Sequence, residues 1–205
     1  MLKNTSLNSL IANLFLVSAI GMSLPAYPQA IIKGLGAPIP LSNGADLSAW
    51  QGSENRGGNA SWEIDGKEIK VTQGQGLLVT RLSVSDFIVE FDYWVDKDTQ
   101  VTAFFRCENP DVINTDTAYE VTLVNQPNGL GAGSIYKLSK VKPSKITKQW
   151  NHIQISAIGR QISVTLNGQT HQINNTQFSA GPIAINYGGG ELRVKNVYVT
   201  IPGRW

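Results

Sequence analysis

From Trp50 onward, apolar side chains recur at every second position, and glycine, asparagine and proline cut the chain into short runs. A period of two is the mark of a strand half-buried in a sheet, whereas a helix repeats its apolar positions every three to four residues. The clearest run is Phe87 to Val95. There Phe87, Val89, Phe91, Tyr93 and Val95 make one face, and Ile88, Glu90, Asp92 and Trp94 the other, so one side goes to a core and the other is amphipathic. Trp150 to Ile158 repeats the pattern, with Ile153, Ile155 and Ala157 opposite His152, Gln154 and Ser156. Gly159-Arg160 then permits a type II′ turn into a returning strand, Gln161 to Leu166, and Asn167-Gly168 signals a type I′ turn after it. A three-stranded antiparallel meander is therefore predicted over residues 150–173.

Further strands are predicted over 61–64, 68–72, 76–80, 103–107, 119–124, 134–136, 182–186 and 191–201. A dozen short strands with turn signals and almost no helix imply an all-β fold of two packed antiparallel sheets, with a closed barrel as the alternative. Four stretches exceed simple turns: 52–60, 108–118, 126–133 and the lysine-rich 139–148. Long loops on a rigid sandwich are common places for binding.

Length and composition narrow the reading. The 205 residues suffice for one sandwich of ordinary size. A net charge of +2, with both signs scattered, offers no basic stripe, so nucleic acid is not an expected partner. Lys3 is the only charged side chain before Lys33, and residues 10–20 are an apolar run interrupted by Asn13. That is the pattern of a signal peptide over residues 1–30, cut between about Ser23 and Ala30. The apolar run falls short of the ~18 residues a membrane span needs. The expectation is a secreted or periplasmic protein with no membrane span after leader cleavage, a lead-in over 31–40 and one domain over 41–205. Cys107, the single cysteine, cannot form an intramolecular disulfide and reads as a buried thiol.

Several phrases then follow in order: Leu41-Ser42-Asn43-Gly44, Asp46-Leu47-Ser48-Ala49-Trp50, Trp62-Glu63-Ile64-Asp65-Gly66, Gly76-Leu77-Leu78-Val79-Thr80 and Asp86-Phe87-Ile88-Val89-Glu90-Phe91. Phe104-Phe105-Arg106, Tyr119-Glu120-Val121, Gly133-Ser134-Ile135-Tyr136, Trp150-Asn151, Val164-Thr165-Leu166-Asn167-Gly168 and a closing strand through Arg193 to Val197 continue the series. Together they resemble the 3-keto-disaccharide hydrolase-like domain family, from about Leu41 to Ile201. The resemblance implies a concanavalin A-like jelly roll and a carbohydrate or glycoside partner. It also implies a hydrolase or lyase of glycosides oxidised at sugar C3. Three phrases depart from the family's habit: Thr99-Gln100-Val101-Thr102-Ala103 before the Phe-Phe-Arg strand, Thr122 where glutamine is usual, and Tyr187-Gly188-Gly189 where a His-Gly phrase is common.

A ketone at C3 acidifies the C2 proton, so the C1–oxygen bond can be broken by proton abstraction, elimination and hydration. That chemistry asks for a base, a group to hold the enolate oxygen and an acid for the leaving oxygen. Glu120 alternates with core-facing Tyr119 and Val121 and is the candidate base or acid. Arg106 is the candidate clamp by analogy with the family, with Asp92 and His152 as possible catalytic partners. Among the aromatics Trp94 is the best candidate for stacking on a sugar ring, with Tyr119 and Tyr136 beside it as substrate-binding candidates. A solvated cross-strand pair is the competing explanation for Glu120 and Arg106, and an ordinary hydrogen-bonded histidine for His152.

No cofactor motif is present. His152 and His171 are too few for a histidine-rich metal site, and neither Asp96 to Asp98 nor Asp111 to Asp116 has calcium-loop spacing, so a divalent cation held by Asp and backbone oxygens stays open as an alternative without sequence support. The absence of a G-x-S-x-G elbow, a P-loop and a dinucleotide fingerprint disfavours serine hydrolase and nucleotide chemistry. The alternative to an enzyme is a non-catalytic, lectin-like carbohydrate-binding module of the cell envelope. Oligomeric state is not encoded in any of these patterns.

Overall fold

The computed structural model describes residues 36–52 and 58–203. The expected leader and the middle of the 52–60 loop lie outside the described residues. Two antiparallel sheets face each other. The larger has eight strands: β1 (Ile39–Pro40), β3 (Glu63–Asp65), β4 (Glu68–Val71), β6 (Phe87–Val95), β9 (Trp150–Ile158), β10 (Gln161–Leu166), β11 (Gln169–Asn174) and β13 (Leu192–Thr200). The smaller has five: β2 (Trp50–Gly52), β5 (Gly76–Val84), β7 (Gln100–Phe105), β8 (Tyr119–Thr122) and β12 (Gly181–Gly189). Their orders are β11-β10-β9-β6-β13-β4-β3, with β1 added to β13, and β2-β5-β12-β7-β8. This is the expected all-β sandwich. No helix among the described residues is long and apolar enough to cross a membrane.

The meander follows its turn chemistry. Gly159 has φ +54° between β9 and β10, and Asn167 and Gly168 have φ +49° and +82° between β10 and β11. These signs are those of a II′ and a I′ turn, whose twist matches the flanking strands. Registers such as Val164↔Ile155 and Val164↔His171 hold the three strands together. Strands β6, β9 and β10 begin and end where alternation places them. β7 starts earlier than expected, at Gln100, and β5 runs on to Val84. The two-residue β1 and three-residue β2 are too short to display a period. Residues 134–136 form no strand of their own; Ile135 makes single bridges to Val121 and Ser139.

Between the sheets lies one continuous apolar cluster that includes Phe87, Phe91, Tyr93, Phe105, Tyr119, Ile153 and Tyr187. Phe105 stacks on Tyr119 at 5.1 Å and meets Phe87 edge-on at 6.0 Å. Burying each such ring contributes about 1.5–3 kcal/mol. The buried Tyr93 hydroxyl donates to the Leu123 carbonyl at 2.9 Å, which satisfies its one polar atom.

The smaller sheet is covered on part of its outer face as well. Val79, Phe104, Cys107, Ala118 and Ala184 form a second apolar cluster, against which Leu77 of β5 and Ile113 of the 108–118 loop pack. The thiol of Cys107 is buried there, as expected, and burial pushes its pKa up to about 12. The rest of that outer face is polar.

Candidate active site

That polar half is the floor of a cleft of about 790 Å³. Registers place its residues in rows. Asn186 of β12, Thr102 of β7 and Thr122 of β8 stand abreast, because Asn186 pairs with Thr102 and Thr102 with Thr122. In the neighbouring row Ala184, Phe104 and Glu120 stand abreast. Glu120 therefore marks the boundary, with apolar Phe104 directly opposite and polar Thr102 on the diagonal. Gln100 and Gly188 extend the floor, and the 125–130 loop and Lys97 to Thr99 form walls.

One wall depends on a close approach. Gly190 has φ +85°, and a Cβ there would lie 2.4 Å from the Thr99 backbone. The Thr99 hydroxyl is fixed in turn, donating to the Glu191 carbonyl at 2.7 Å and lying 2.6 Å from Asp96 Oδ1.

Glu120 is half-buried, and burial raises its carboxyl pKa above the usual glutamate value; interaction with the Thr102 side chain works in the opposite sense. The Thr102 hydroxyl lies close enough to favour the carboxylate without closing a hydrogen bond, and its oxygen has no partner among the described residues. Tyr136 stands beside Glu120, its backbone N–H donating to the Glu120 carbonyl at 2.9 Å, with Lys137 Nζ 5.3 Å from its ring. The other acid lining the cleft is Asp98, exposed and paired with Lys97 at 2.9 Å.

The remaining candidates are not in this cleft. Arg106 is buried at the end of the sandwich with φ +51°. Its Nε donates to Ser85 O at 2.9 Å, Nη1 to Phe178 O at 3.4 Å, and Nη2 to Gly159 O at 2.9 Å and Asp86 Oδ1 at 3.2 Å. The expected clamp for substrate is thus a clamp for turns. All three guanidinium nitrogens are engaged by the fold, and strand β7 ends at Phe105, so the alternation that would align Arg106 with Phe104 no longer applies. Tyr119 also leaves the site, as its alternation with Glu120 requires. It is 2 % exposed, with its hydroxyl 2.6 Å from Asn175 Oδ1 and accepting from Phe178 N at 3.2 Å.

Asp92, His152 and Trp94 lie on the outer face of the larger sheet. There Asp92 pairs in register with His152, and Trp94 with Trp150. His152 Nδ1 lies 2.8 Å from Asp92 Oδ1, and Asn196 donates to Asp92 Oδ2 at 2.7 Å. The Asp92 hydrogen bond lifts the His152 pKa; for Asp92, burial pushes upward but the bonds from His152 and Asn196 outweigh it. Arg193 lies 5.2 Å from the Trp94 ring and Lys195 Nζ 3.8 Å from that of Trp150. The expectation of one face holding Arg106, Glu120, Asp92 and Trp94 is therefore corrected. Two sheets packed about 10 Å apart separate Glu120 from Asp92 and Trp94.

Sequence reasoning missed Thr102, Asn186 and Gln100. Their signal was present: each is a polar residue at an outward position of an alternating strand. Among the described residues no group of three or more His, Cys, Asp or Glu side chains is placed to hold a metal ion.

The sandwich is similar to a candidate glycosyl hydrolase from Parabacteroides distasonis, at TM-score 0.66 and 16 % identity over 81 % of this chain and 93 % of that one. It is similar to the carbohydrate-binding module CBM66 from Bacillus subtilis, at TM-score 0.57 and 16 % identity over 73 % and 93 %. A Bacillus subtilis protein of unknown function with a galectin-like fold matches at TM-score 0.60 and 10 % identity over 82 % and 97 %. At these identities the likeness is one of fold, a concanavalin- or galectin-like jelly roll. No curated protein sequence matches the chain. The family model of the 3-keto-alpha-glucoside-1,2-lyase-like domain matches residues 37–200, and the chain belongs to that family.

Proposed function

We propose that the protein cleaves glycosides carrying a ketone at sugar C3, with Glu120 as the base that removes the C2 proton. The observation that carries this reading is a half-buried carboxylate of raised pKa on the floor of a polar cleft. Direct glycoside hydrolysis commonly uses two carboxylates flanking the scissile bond. Here the second acid is an exposed, ion-paired Asp98 at the wall, an arrangement better suited to chemistry that needs one base.

The C2–H electron pair forms a C2–C3 double bond as the proton passes to Glu120, and the ketone pair moves onto its oxygen to give an enolate. Collapse of the enolate restores the ketone, forms a C1–C2 double bond and expels the C1 oxygen of the leaving sugar, which takes a proton. Water then adds across C1 and C2, giving the free 3-keto sugar. A raised pKa makes Glu120 a stronger base than an exposed glutamate. Family membership supports the substrate class.

A binding-only reading is favoured by one feature, the amide- and hydroxyl-rich lining of Gln100, Thr102, Thr122 and Asn186, which suits sugar hydroxyls without any turnover. Glu120→Gln separates the two. The enzyme reading expects the wild type to release sugar from a 3-keto-disaccharide and Glu120→Gln to bind it by calorimetry without cleavage. Equal binding with no cleavage by either protein contradicts it.

A further inference from the structure

The withdrawal of Arg106 leaves the enolate oxygen without a partner, and the cleft floor contains a group suited to the role. Thr102 is 9 % exposed and its hydroxyl oxygen has no hydrogen-bond partner among the described residues. Buried hydroxyls are almost always satisfied, so one that closes no hydrogen bond, beside the Glu120 carboxylate and on the floor of a cleft, calls for a ligand or a catalytic explanation. Directly across the β7–β12 register stands Asn186, a partly exposed amide that also lines the cleft. Opposed residues of antiparallel strands lie about 4.5–5.5 Å apart, so the two side chains can converge on one acceptor.

Glu120 lies on the diagonal from Thr102, at a spacing of about 7–8 Å between strands. The ketone oxygen on C3 and the proton on C2 belong to adjacent carbons. A base reaching in from Glu120 and donors reaching in from Thr102 and Asn186 would meet those two adjacent carbons from neighbouring strands. The apolar flank at Phe104 lowers the local polarity around the developing charge, which strengthens any donor aimed at it.

Resting on the reading of the cleft as an eliminating site, we propose that the Thr102 hydroxyl and the Asn186 amide hold the C3 oxygen of the substrate and stabilise its enolate. Thr102→Val keeps the shape and removes the donor, Thr102→Ser keeps the donor, and Asn186→Ala tests its neighbour. Initial rates on a 3-keto-disaccharide would be measured for all three, together with Glu120→Gln and melting temperatures. Loss of a single donor to an oxyanion commonly costs about 10²-fold or more in kcat. The expected pattern is a loss of that order in Thr102→Val and Asn186→Ala, expressed more in kcat than in KM, with Thr102→Ser near wild type. Thr102→Val should melt close to wild type, since the hydroxyl it removes closes no hydrogen bond.

If Glu120→Gln is inactive while a folded Thr102→Val or Asn186→Ala retains wild-type kcat, the oxygen-holding role is overturned and the base remains. If Thr102→Val does not fold, a Thr102→Ser variant as slow as Asn186→Ala overturns it equally. If Glu120→Gln keeps wild-type activity, the reading of the cleft itself fails and takes this assignment with it.

Discussion

Glu120 is paired in register with Phe104, so its carboxylate has an apolar ring on one flank and open cleft on the other. That placement explains why burial, the largest influence on Glu120, raises its pKa. A carboxyl with a raised folded pKa favours the fold while protonated, and that contribution is lost as pH rises through the folded value. Glu120→Gln, which cannot ionise, is therefore expected to melt higher than wild type at pH 7. The difference should vanish below the ordinary glutamate pKa of 4.5. Each kcal/mol corresponds to about 2–4 °C at this chain length, so paired melting curves at pH 7 and pH 4 measure it.

Arg106 ties together the β5–β6 turn, the β9–β10 turn and the segment before β12. Arg106→Met should destabilise by about 1–3 kcal/mol in urea, the range for leaving a buried acceptor without its donor. Arg106→Lys should recover little, because an ammonium cannot span the same acceptors as a planar fork. Where either variant is folded, turnover per folded molecule should match wild type. A kcat loss with full stability would return Arg106 to the site.

The Asp92–His152 pair gives a separate pH signature. His152 has a raised pKa, so its contribution is complete below the ordinary value of 6.5 and lost as pH rises through the folded value. Asp92 has a lowered pKa, so its contribution is present above 3.8 and lost as pH falls through the folded value. Both groups are partly exposed, so the pair should contribute about 0.5–1 kcal/mol. His152→Gln should show that loss at pH 6 and approach wild type at pH 9. A loss independent of pH would assign His152 a packing role alone.

Gly190 permits the chain to pass against Thr99 at the cleft wall. Gly190→Ala puts a Cβ into that backbone and an L side chain at φ +85°. The left-handed conformation alone costs about 1–2 kcal/mol. Displacement of Lys97 to Thr99 should add a loss of cleavage. Urea denaturation and initial rates check both parts, and wild-type values in each would remove Thr99 from the wall that shapes the site.

Strand positions were legible because residues alternate, and Glu120 was legible because Tyr119 and Val121 point inward on either side of it. Alternation reports that a side chain faces away from the core. It does not report which sheet the strand joins, and a sandwich has two outer faces. Asp92 and Glu120 both face outward and still lie on opposite sides of the molecule. Arg106 was misread because a strand pattern was extended two residues past β7, through a position of positive φ. The phrases that depart from the family's habit are more telling: they contribute Gln100, Thr102, Thr122 and Gly188 to the cleft. Sequence marked where this chain is individual, and the register between strands was needed to bring those residues together.

The most direct test follows the C2 proton. A 3-keto-glucoside with a leaving group too poor to be expelled would be incubated with the protein in D2O and followed by proton NMR. Wild type is expected to exchange the C2 proton for deuterium, and Glu120→Gln to leave it in place. Exchange at equal rates in both proteins, or none with wild type while it still cleaves the disaccharide, would contradict Glu120 as the base.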